Sequence, residues 1–382
     1  MASGERLWSN TFDRGAADLL IVQDEIARAI MDDGLALRLS RDERQLVRNP
    51  TSDGEAYDRY LQARHLQRRA TEDDYLLARE ILKTAIVRDP EFALAHVAIG
   101  ATYAMMAADG LERPTDAWPE ANRHTRRAFE LDPSLTEAHV IAHATAFFFD
   151  WDWTEAERER KRLMGSLPGD FDPQFLRAFA MERWALGRTD EALQLARMTR
   201  ELDPLSPNLG MLEADYLVHA GQLDNAVNLY EKSIRSDPID PNPLFGLAEV
   251  RYRQGRFDEA IEVRRKAHAA AGDTVLEKVL ASARGESGYR EIDRMWVRAQ
   301  LNALEERKTT NYVSPLDFAR VHAQLGDAEQ AFRYLDAAFA DRAPGLVFLN
   351  VDRAWDNVRK DPRFVAAVDR VRLPGNTVRP DP

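Results

Sequence analysis

The feature that most constrains the fold of this chain is a spacing that recurs along its first two thirds. Prolines recur at nearly even intervals that approach about 34 residues, at Pro90, Pro133, Pro168, Pro204 and Pro238. An alanine stands twelve residues before each of these prolines, and Ala260 extends the alanine series by one more interval. Such a period predicts an array of similar structural units.

Glycines form a second series with the same period. Gly187, Gly221 and Gly255 are evenly spaced, and each lies five residues before its alanine. Because glycine suits the left-handed residue that ends a helix, each is predicted to end one helix of a unit. Asp258, which closely follows Gly255, is predicted to cap the next helix.

The clearest unit indicates a helix, a turn and a second helix. Leu244, Leu247 and Ala248 recur at the spacing of one helix face, and Ala260 and Ile261 begin another apolar face after the turn. One helix pair cannot bury its apolar face alone, so neighbouring pairs must stack. The predicted fold class is therefore all-α.

The order of small residues, glycine, alanine and proline within this period resembles the tetratricopeptide repeat (TPR). The resemblance covers roughly residues 55 to 340 of the chain. It implies a right-handed superhelical solenoid of about seven helix pairs, a fold with extended concave surfaces that bind other proteins.

Two stretches depart from the period. Met106–Trp118 is an insertion that is predicted to lengthen the turn of its unit. Val275–Glu306 is predicted to form a degenerate unit, with Trp296, Ala299 and Leu304 in its core.

The two ends of the chain resemble a narrower family. Residues 5–14 predict a short strand, and Ala17–Asp33 predicts a helix after it. With Asp150–Trp153 and a tail from Tyr312 to Phe364, they are similar to large bacterial signalling proteins. In that family a winged-helix, class III adenylate cyclase or protein kinase domain precedes a small TolB-like α/β domain and a repeat array.

This resemblance implies three parts for the chain. Residues 1–52 would be a strand–helix remnant of a TolB-like domain, 53–340 the TPR solenoid, and 341–382 a C-terminal cap and tail. Because no cyclase, kinase or DNA-binding domain is recognisable, an excised fragment and a separate gene both remain open. The strand at 5–13 is predicted to be disordered, to pair with a second copy as a homo-oligomer, or to add to a partner's sheet.

Charge and composition exclude several classes of function. The net charge of −12, from 52 basic and 64 acidic residues, repels a phosphate backbone, so no nucleic-acid partner is expected. The absence of cysteine excludes disulfides, thiolate metal sites and a cysteine nucleophile. With no long apolar run and no apolar signal-peptide core at the N-terminus, the expectation is no membrane contact and a cytoplasmic protein.

Neither a catalytic centre nor a cofactor site is predicted. His139 and His143 are four residues apart on a helix and His96 lies one unit earlier, but a structural zinc site needs four ligands. The run Gly285–Gly288 fits neither a glycine-rich phosphate loop nor a nucleophile elbow, because no strand precedes it. The chain is therefore expected not to be an enzyme.

The densest aromatic cluster has two interpretations. Its members are Phe147, Phe148, Phe149, Trp151 and Trp153. Large aromatic side chains mostly fill cores, so one interpretation is the helix end and turn of one unit. The other is a pocket for an apolar ligand or a peptide side chain.

The candidate partner-binding site follows from the geometry of stacked helix pairs. First helices line the concave face, so their residues that point away from the second helix face the groove. The helical period assigns this groove to Arg177, Met181, Trp184, Asn208, Met211, Asp215, His219, Phe245, Glu249, Tyr252 and Arg253. Aromatic residues, methionine and arginine dominate binding energy at interfaces. The alternative is that some of these residues pack against the next unit.

These observations predict a non-catalytic scaffold that binds a peptide or helix in its concave groove. The family resemblance implies a regulatory or sensory role in a bacterial signalling system. The alternative is a small-molecule-sensing module of a cyclase or transcription-regulator system, with its ligand near the aromatic cluster or His139.

Overall fold

The structure is a computed structural model. It describes residues 50–69, 71–165, 173–202, 207–273 and 276–375, without the side chains of 173–175, 207–209 and 277–278. The predicted N-terminal strand at 5–13 and helix at 17–33 therefore lie outside the described residues.

The described part of the chain is helical and contains no strand. Its α-helices are α1 (Gly54–Gln67), α2 (Glu72–Arg88), α3 (Ala93–Ala108), α4 (Pro114–Leu131), α5 (Thr136–Thr145), α6 (Trp153–Gly165), α7 (Pro173–Ala185), α8 (Thr189–Leu202), α9 (Pro207–His219), α10 (Leu223–Ser236), α11 (Asn242–Arg253), α12 (Phe257–Ala270), α13 (Glu277–Ser282), α14 (Gly285–Arg307), α15 (Pro315–Leu325), α16 (Ala328–Ala340) and α17 (Pro362–Val371). A π-helix spans Ala146–Asp150, and 3₁₀ helices span Pro344–Phe348 and Arg353–Val358.

Consecutive helices pack as pairs, and neighbouring pairs stack. The pairs α1/α2, α7/α8, α9/α10, α11/α12 and α15/α16 are in contact, and α8 packs on α9 as α10 packs on α11. The alanines of the periodic series, Ala192, Ala226 and Ala260, are fully buried. Small side chains at these positions let the helices approach closely, which explains why the series recurs.

The predicted role of the repeated glycines is confirmed. Gly187, Gly221 and Gly255 have φ angles of 71°, 73° and 72°, in the left-handed region that favours glycine. At the first of these turns, the backbone N–H of Arg188 donates to the carbonyl of Arg183 at 2.8 Å. This bond closes the helix end in the manner of a C-terminal glycine cap.

Two predictions about helix ends need correction. Asp258 does not cap α12, because that helix begins one residue earlier at Phe257; its carboxylate instead accepts from the backbone N–H of Gly285 at 2.8 Å. The insertion at Met106–Trp118 leaves only residues 109–113 between α3 and α4, so most of it extends the two helices. Both ends of the insertion, Met106 and Trp118, are buried.

The degenerate unit consists of the six-residue helix α13 and the 23-residue helix α14. Tyr289, Ile292 and Val297 form the buried face of α14. The predicted core residues Trp296, Ala299 and Leu304 are half-buried. Tyr289, Asp293 and Trp296 of α14 contact α12, through Arg264 and His268.

The chain divides into two compact units. Among the described residues, one unit comprises those up to Met106 with Pro119–Ile141, and the other comprises Ala107–Trp118 with those from Ala142 onward. The core of the second unit includes the C-terminal segment, by which we mean residues 341–375. Leu346, Trp355 and Phe364 of this segment are buried in the same cluster as Phe147 and Ala185.

Candidate functional site

The C-terminal segment lies against helices that the sequence assigns to the groove. Phe348 stacks on Trp184 with ring centroids 5.1 Å apart. His219, another predicted groove residue, also contacts Trp184, with ring centroids 4.7 Å apart. Farther along, the guanidinium of Arg353 lies 3.6 Å from the carboxylate of Glu249. The chain therefore covers part of this face with its own residues.

Two further groove residues contact α14. The ring of Phe245 stacks on Trp296 at 5.9 Å, and Tyr252 stacks on Tyr289 at 4.5 Å. Both are contacts with the following unit, which is the alternative that the sequence left open. Aromatic pairs at these distances stabilise the folded chain by about 0.5–1.5 kcal/mol beyond their buried area.

The remaining groove residues have mixed surroundings. Arg253 bonds to Glu249 at 2.8 Å and to the carbonyl oxygen of Val218 at 3.3 Å. Asp215 accepts a hydrogen bond from the hydroxyl of Tyr230. The others are exposed Arg177, half-buried Met181 and Met211, and Asn208, whose side chain lies outside the described residues.

An open cleft of about 670 Å³ remains where α11, α14, α15 and the second 3₁₀ helix converge. We call it the α14 cleft. It is lined by Glu249, Tyr252, Tyr289, Arg290, Asp293, Arg294, Val297, Gln324, Leu325, Gly326, Arg353, Ala354, Asp356 and Asn357. Two predicted groove residues, Glu249 and Tyr252, thus border open space.

The charges of the α14 cleft are not fully compensated. Each of its carboxylates is ion-paired: Glu249 with arginine side chains at 2.8 and 3.6 Å, Asp293 at 3.2 Å and Asp356 at 3.2 Å. Arg290 also has a partner, on its own helix. Exposed Arg294 forms no ion pair with any described residue. The cleft therefore offers a free positive charge beside the stacked tyrosine rings.

A second cavity, of about 700 Å³, lies beside the aromatic cluster. We call it the Trp153 cavity. It is lined by Phe147, Trp153, Thr154, Ala156, Glu157, Arg158, Lys161, Glu182, Arg183, Leu186, Arg188 and Pro374.

The aromatic cluster contributes both to the core and to this cavity. Phe147 and Phe149 are buried, and Trp151 contacts Phe339 edge-on at 6.0 Å. Trp153 is half-buried and contacts Phe147 edge-on at 5.4 Å. One part of the cluster therefore fills the second unit's core, while Phe147 and Trp153 also form a wall of open space.

A buried charge network lies under the Trp153 cavity. Fully buried His143 is 2.9 Å from Glu182, through its Nε2 atom. Arg183, 4% exposed, binds both Glu182 and Glu157. The hydrogen bond from Arg160 to Glu157, reinforced by the charge of Arg183, lowers the pKa of Glu157 to about 2. The low pKa therefore reflects the guanidinium groups that contact this carboxylate.

Arg183 has one atom that this network leaves unsatisfied. Its Nε is buried and has no hydrogen-bond partner among the described residues. An unmade hydrogen bond of a buried charged group costs about 1–3 kcal/mol or more, so such a group calls for an explanation.

Two other histidines, His96 and His124, belong to a series of hydrogen bonds within the first unit. Nε2 of His96 lies 3.2 Å from the carbonyl oxygen of Pro90, so that nitrogen must donate. Nδ1 of His96 must then accept from Nδ1 of His124, 3.1 Å away. Nε2 of His124 in turn accepts from Arg123 at 3.0 Å. This series of hydrogen bonds requires both imidazoles to be neutral.

His139 repeats the first link of this chain. Its Nε2 is 3.2 Å from the carbonyl oxygen of Pro133, six residues earlier, as Pro90 is for His96. Within the described ranges, no group of three or more histidine and carboxylate side chains is arranged to hold a metal ion. None of the helices in those ranges is both long and apolar enough to cross a bilayer.

Sequence reasoning missed Arg294 and Arg183. Arg290, Arg294 and Arg298 are spaced four residues apart, which is a visible sign of one exposed face on α14. No comparable sign marks Arg183, because its burial depends on carboxylates from three helices.

Comparison with known proteins supports the repeat assignment. The profile of the family described as Tetratricopeptide repeat matches residues 177–241 and 211–274. A relative from Rhizobium meliloti (strain 1021), "Putative adenylate cyclase 3", is 32% identical over 99 residues. That match covers 25% of this chain and 16% of the relative, so the chain spans a small part of the relative's length.

Solved TPR structures are similar as well. YrrB, described as a TPR protein with an unusual peptide-binding site, is 17% identical, with a TM-score of 0.37 and coverage of 51% of this chain and 94% of that chain. PilF of Pseudomonas aeruginosa is 17% identical, with a TM-score of 0.36 and coverage of 65% and 94%. By the family match, residues 177–274 of this chain are tetratricopeptide repeats.

Proposed function

We propose that this protein is a non-catalytic scaffold that holds a peptide or helix of a protein partner in the α14 cleft. The observation that carries the proposal is the free charge of Arg294 beside the stacked pair Tyr252 and Tyr289, in a cleft of about 670 Å³. TPR repeats present extended surfaces to partners, and arginine and tyrosine dominate binding energy at interfaces.

The charges of the cleft favour an acidic partner segment. Because every carboxylate of the cleft already has an arginine partner, a basic ligand would have to share a carboxylate with that arginine. An acidic side chain can instead pair with Arg294 at no such cost. Half-buried Tyr252 supplies apolar contact area for an anchor in the same cleft.

We further propose that the scaffold is the regulatory or sensory part of a bacterial signalling system that acts in the cytoplasm. The support is the partial match to a relative named as an adenylate cyclase, together with the resemblance of both chain ends to signalling proteins. Pairing of a second copy through residues 5–13 belongs to the same proposal. Analytical ultracentrifugation of the full chain and of a variant that lacks residues 1–14 tests this pairing. The full chain is expected to be a dimer and the shortened variant a monomer.

Photo-crosslinking in the source cell tests the cleft. A benzophenone amino acid in place of exposed Asn357, which lines the cleft and leaves Arg294 intact, is expected to give one discrete protein adduct, because that position lies in the proposed interface. The matched control carries the same amino acid at Arg126, which is exposed and outside the cleft. Identical adducts at both positions, or none at 357, would contradict the proposal.

A second function, small-molecule sensing, is favoured by the Trp153 cavity. Its volume of about 700 Å³ falls in the range of ligand pockets, and aromatic and aliphatic residues form much of its wall.

A further inference from the structure

We propose that the partner segment of the α14 cleft is a helix with an apolar side chain and two acidic side chains at successive turns of one face. The inference rests on the proposed function, because it concerns the same cleft. It adds a second contact residue, Arg298, and an order of contacts along α14. The apolar side chain packs on Tyr252, the first acid pairs with Arg294 and the second acid pairs with Arg298.

Arg298 is a second free positive charge on α14. It is exposed, as Arg294 is, and neither arginine forms an ion pair with any described residue. The arginine one turn earlier, Arg290, is by contrast paired with Glu286. Carboxylates are not scarce in a chain with 64 acidic and 52 basic residues. Two unpaired arginines one turn apart therefore favour a partner that brings negative charge to both.

The spacing of these arginines matches acidic side chains on a helix. Arg294 and Arg298 are four residues apart on one helix, so their Cα atoms are separated by about 6 Å along its axis. Acidic residues three or four positions apart on a partner helix have Cβ atoms about 5–6 Å apart. A helix that lies along α14 can therefore pair one acid with each arginine.

Tyr252 fixes one end of the pattern. Its ring stacks on Tyr289 of α14 at 4.5 Å, so it lies beside the part of α14 that precedes both free arginines. Arg294 follows Tyr289 by about 7.5 Å along the helix axis, and Arg298 follows one turn later. Because Tyr252 is half-buried, part of its surface is open to an apolar side chain of the partner. The contacts therefore follow in the order apolar, acidic, acidic.

The walls of the cleft favour a helix over an extended segment. An extended peptide gains affinity when its backbone pairs with an exposed strand edge. The cleft is instead lined by α11, α14, α15 and a 3₁₀ helix, and the described residues contain no strand. A helix satisfies most of its own backbone groups and packs on a neighbouring helix through side chains alone.

Two synthetic helical peptides of identical composition test the pattern by fluorescence anisotropy. The same-face peptide carries a tryptophan and then a glutamate at each of the next two turns of one face. In the opposite-face peptide, both glutamates are moved to the other side of the helix. We expect the full-length protein to bind the same-face peptide at least about fivefold more tightly. Equal affinities, or no measurable binding of either peptide, would overturn the proposal.

Charge-reversed variants assign the second acid to Arg298. Arg298→Glu is expected to reduce the preference for the same-face peptide to less than about twofold, because it replaces an attraction with a repulsion at one acid. Arg126→Glu, an equal charge change at an exposed arginine outside the cleft, should keep the full preference. A folded Arg298→Glu variant with the full preference would show that this arginine contacts no acid.

Failure of this pattern is distinguishable from failure of the proposed function. If position 357 crosslinks one partner while the two peptides bind equally, the α14 cleft stays the partner-binding site and the acidic helix is wrong. If position 357 gives no discrete adduct and the two peptides bind equally, both proposals fail. A same-face preference that Arg298→Glu removes supports both.

Discussion

The repeats between α7 and α12 and the C-terminal segment reach their burial in different ways. In the repeats, each buried alanine and each turn glycine recurs with the period of the units, and each helix packs within its own unit or on the next one. In the C-terminal segment, Phe348 reaches Trp184 and Leu346 shares a cluster with Phe147. The difference teaches that a repeat array can be closed by contacts that occur once, and that these decide which part of its groove stays open.

The largest expected effect tests whether the C-terminal segment is integral to the second unit. Trp355 is 1% exposed, so Trp355→Ala should lower the free energy of unfolding by about 3–5 kcal/mol. Hydrogen exchange should then accelerate in α7–α10 as well as in residues 341–375. Leu202→Ala, at a side chain 50% exposed, is the control. Acceleration confined to residues 341–375 would show that the C-terminal segment does not stabilise the rest of the second unit.

The pH dependence of stability tests another contact that occurs once, the His96–His124 pair. Burial lowers the pKa of His124 to about 4 and lowers that of His96. The unfolded chain therefore binds protons that the folded chain does not, and stability falls as the pH falls from about 6.5 to about 4. The lowered His124 pKa contributes on the order of 3 kcal/mol to this fall.

Urea unfolding at pH 7, 5.5 and 4.5, followed by circular dichroism, measures this loss. His124→Gln should reduce the pH dependence in this window, because it removes the proton uptake on unfolding. His65→Gln, at an exposed histidine on α1, should leave it unchanged. A wild-type stability that stays flat between pH 6.5 and 4.5 would show that the pair is not held neutral.

The smallest expected effect concerns a turn that recurs in each repeat. Gly255→Ala should destabilise the protein by about 1–2 kcal/mol, because φ is 72° and a Cβ is strained there. Gly210→Ala lies inside α9, where the one described atom within 4 Å of the new Cβ is the hydroxyl oxygen of Ser233 at 3.8 Å, and should stabilise the protein by about 0.5–1 kcal/mol. Thermal unfolding of the two variants compares them directly, and equal shifts of the same sign would contradict the turn assignment.

The same comparison explains what the sequence could predict. Ala192, Ala226 and the turn glycines were predictable because each repeat places them in the same surroundings, so spacing alone marks them. Phe348 and Trp184 belong to distant parts of the sequence and share no period, so no local pattern marks their contact. The groove prediction depended on the first helices alone and therefore left out the segment that lies against them.

For the candidate sites, the sequence could not predict which charged side chains have ion-pair partners. Arginine spacing on α14 was visible, but whether Arg290 or Arg294 has a carboxylate partner depends on tertiary neighbours. The burial of Arg183 likewise follows from α6, α7 and α8 meeting at one point.

The most direct test of the central claim is the affinity of the crosslinked partner for charge-reversed variants. Arg294→Glu should weaken partner binding at least about tenfold, because it turns the free positive charge of the α14 cleft negative. Arg126→Glu, which changes the net charge equally outside the cleft, should stay within about twofold of wild type. Equal affinity of wild type and a folded Arg294→Glu variant would contradict the α14 cleft as the partner-binding site.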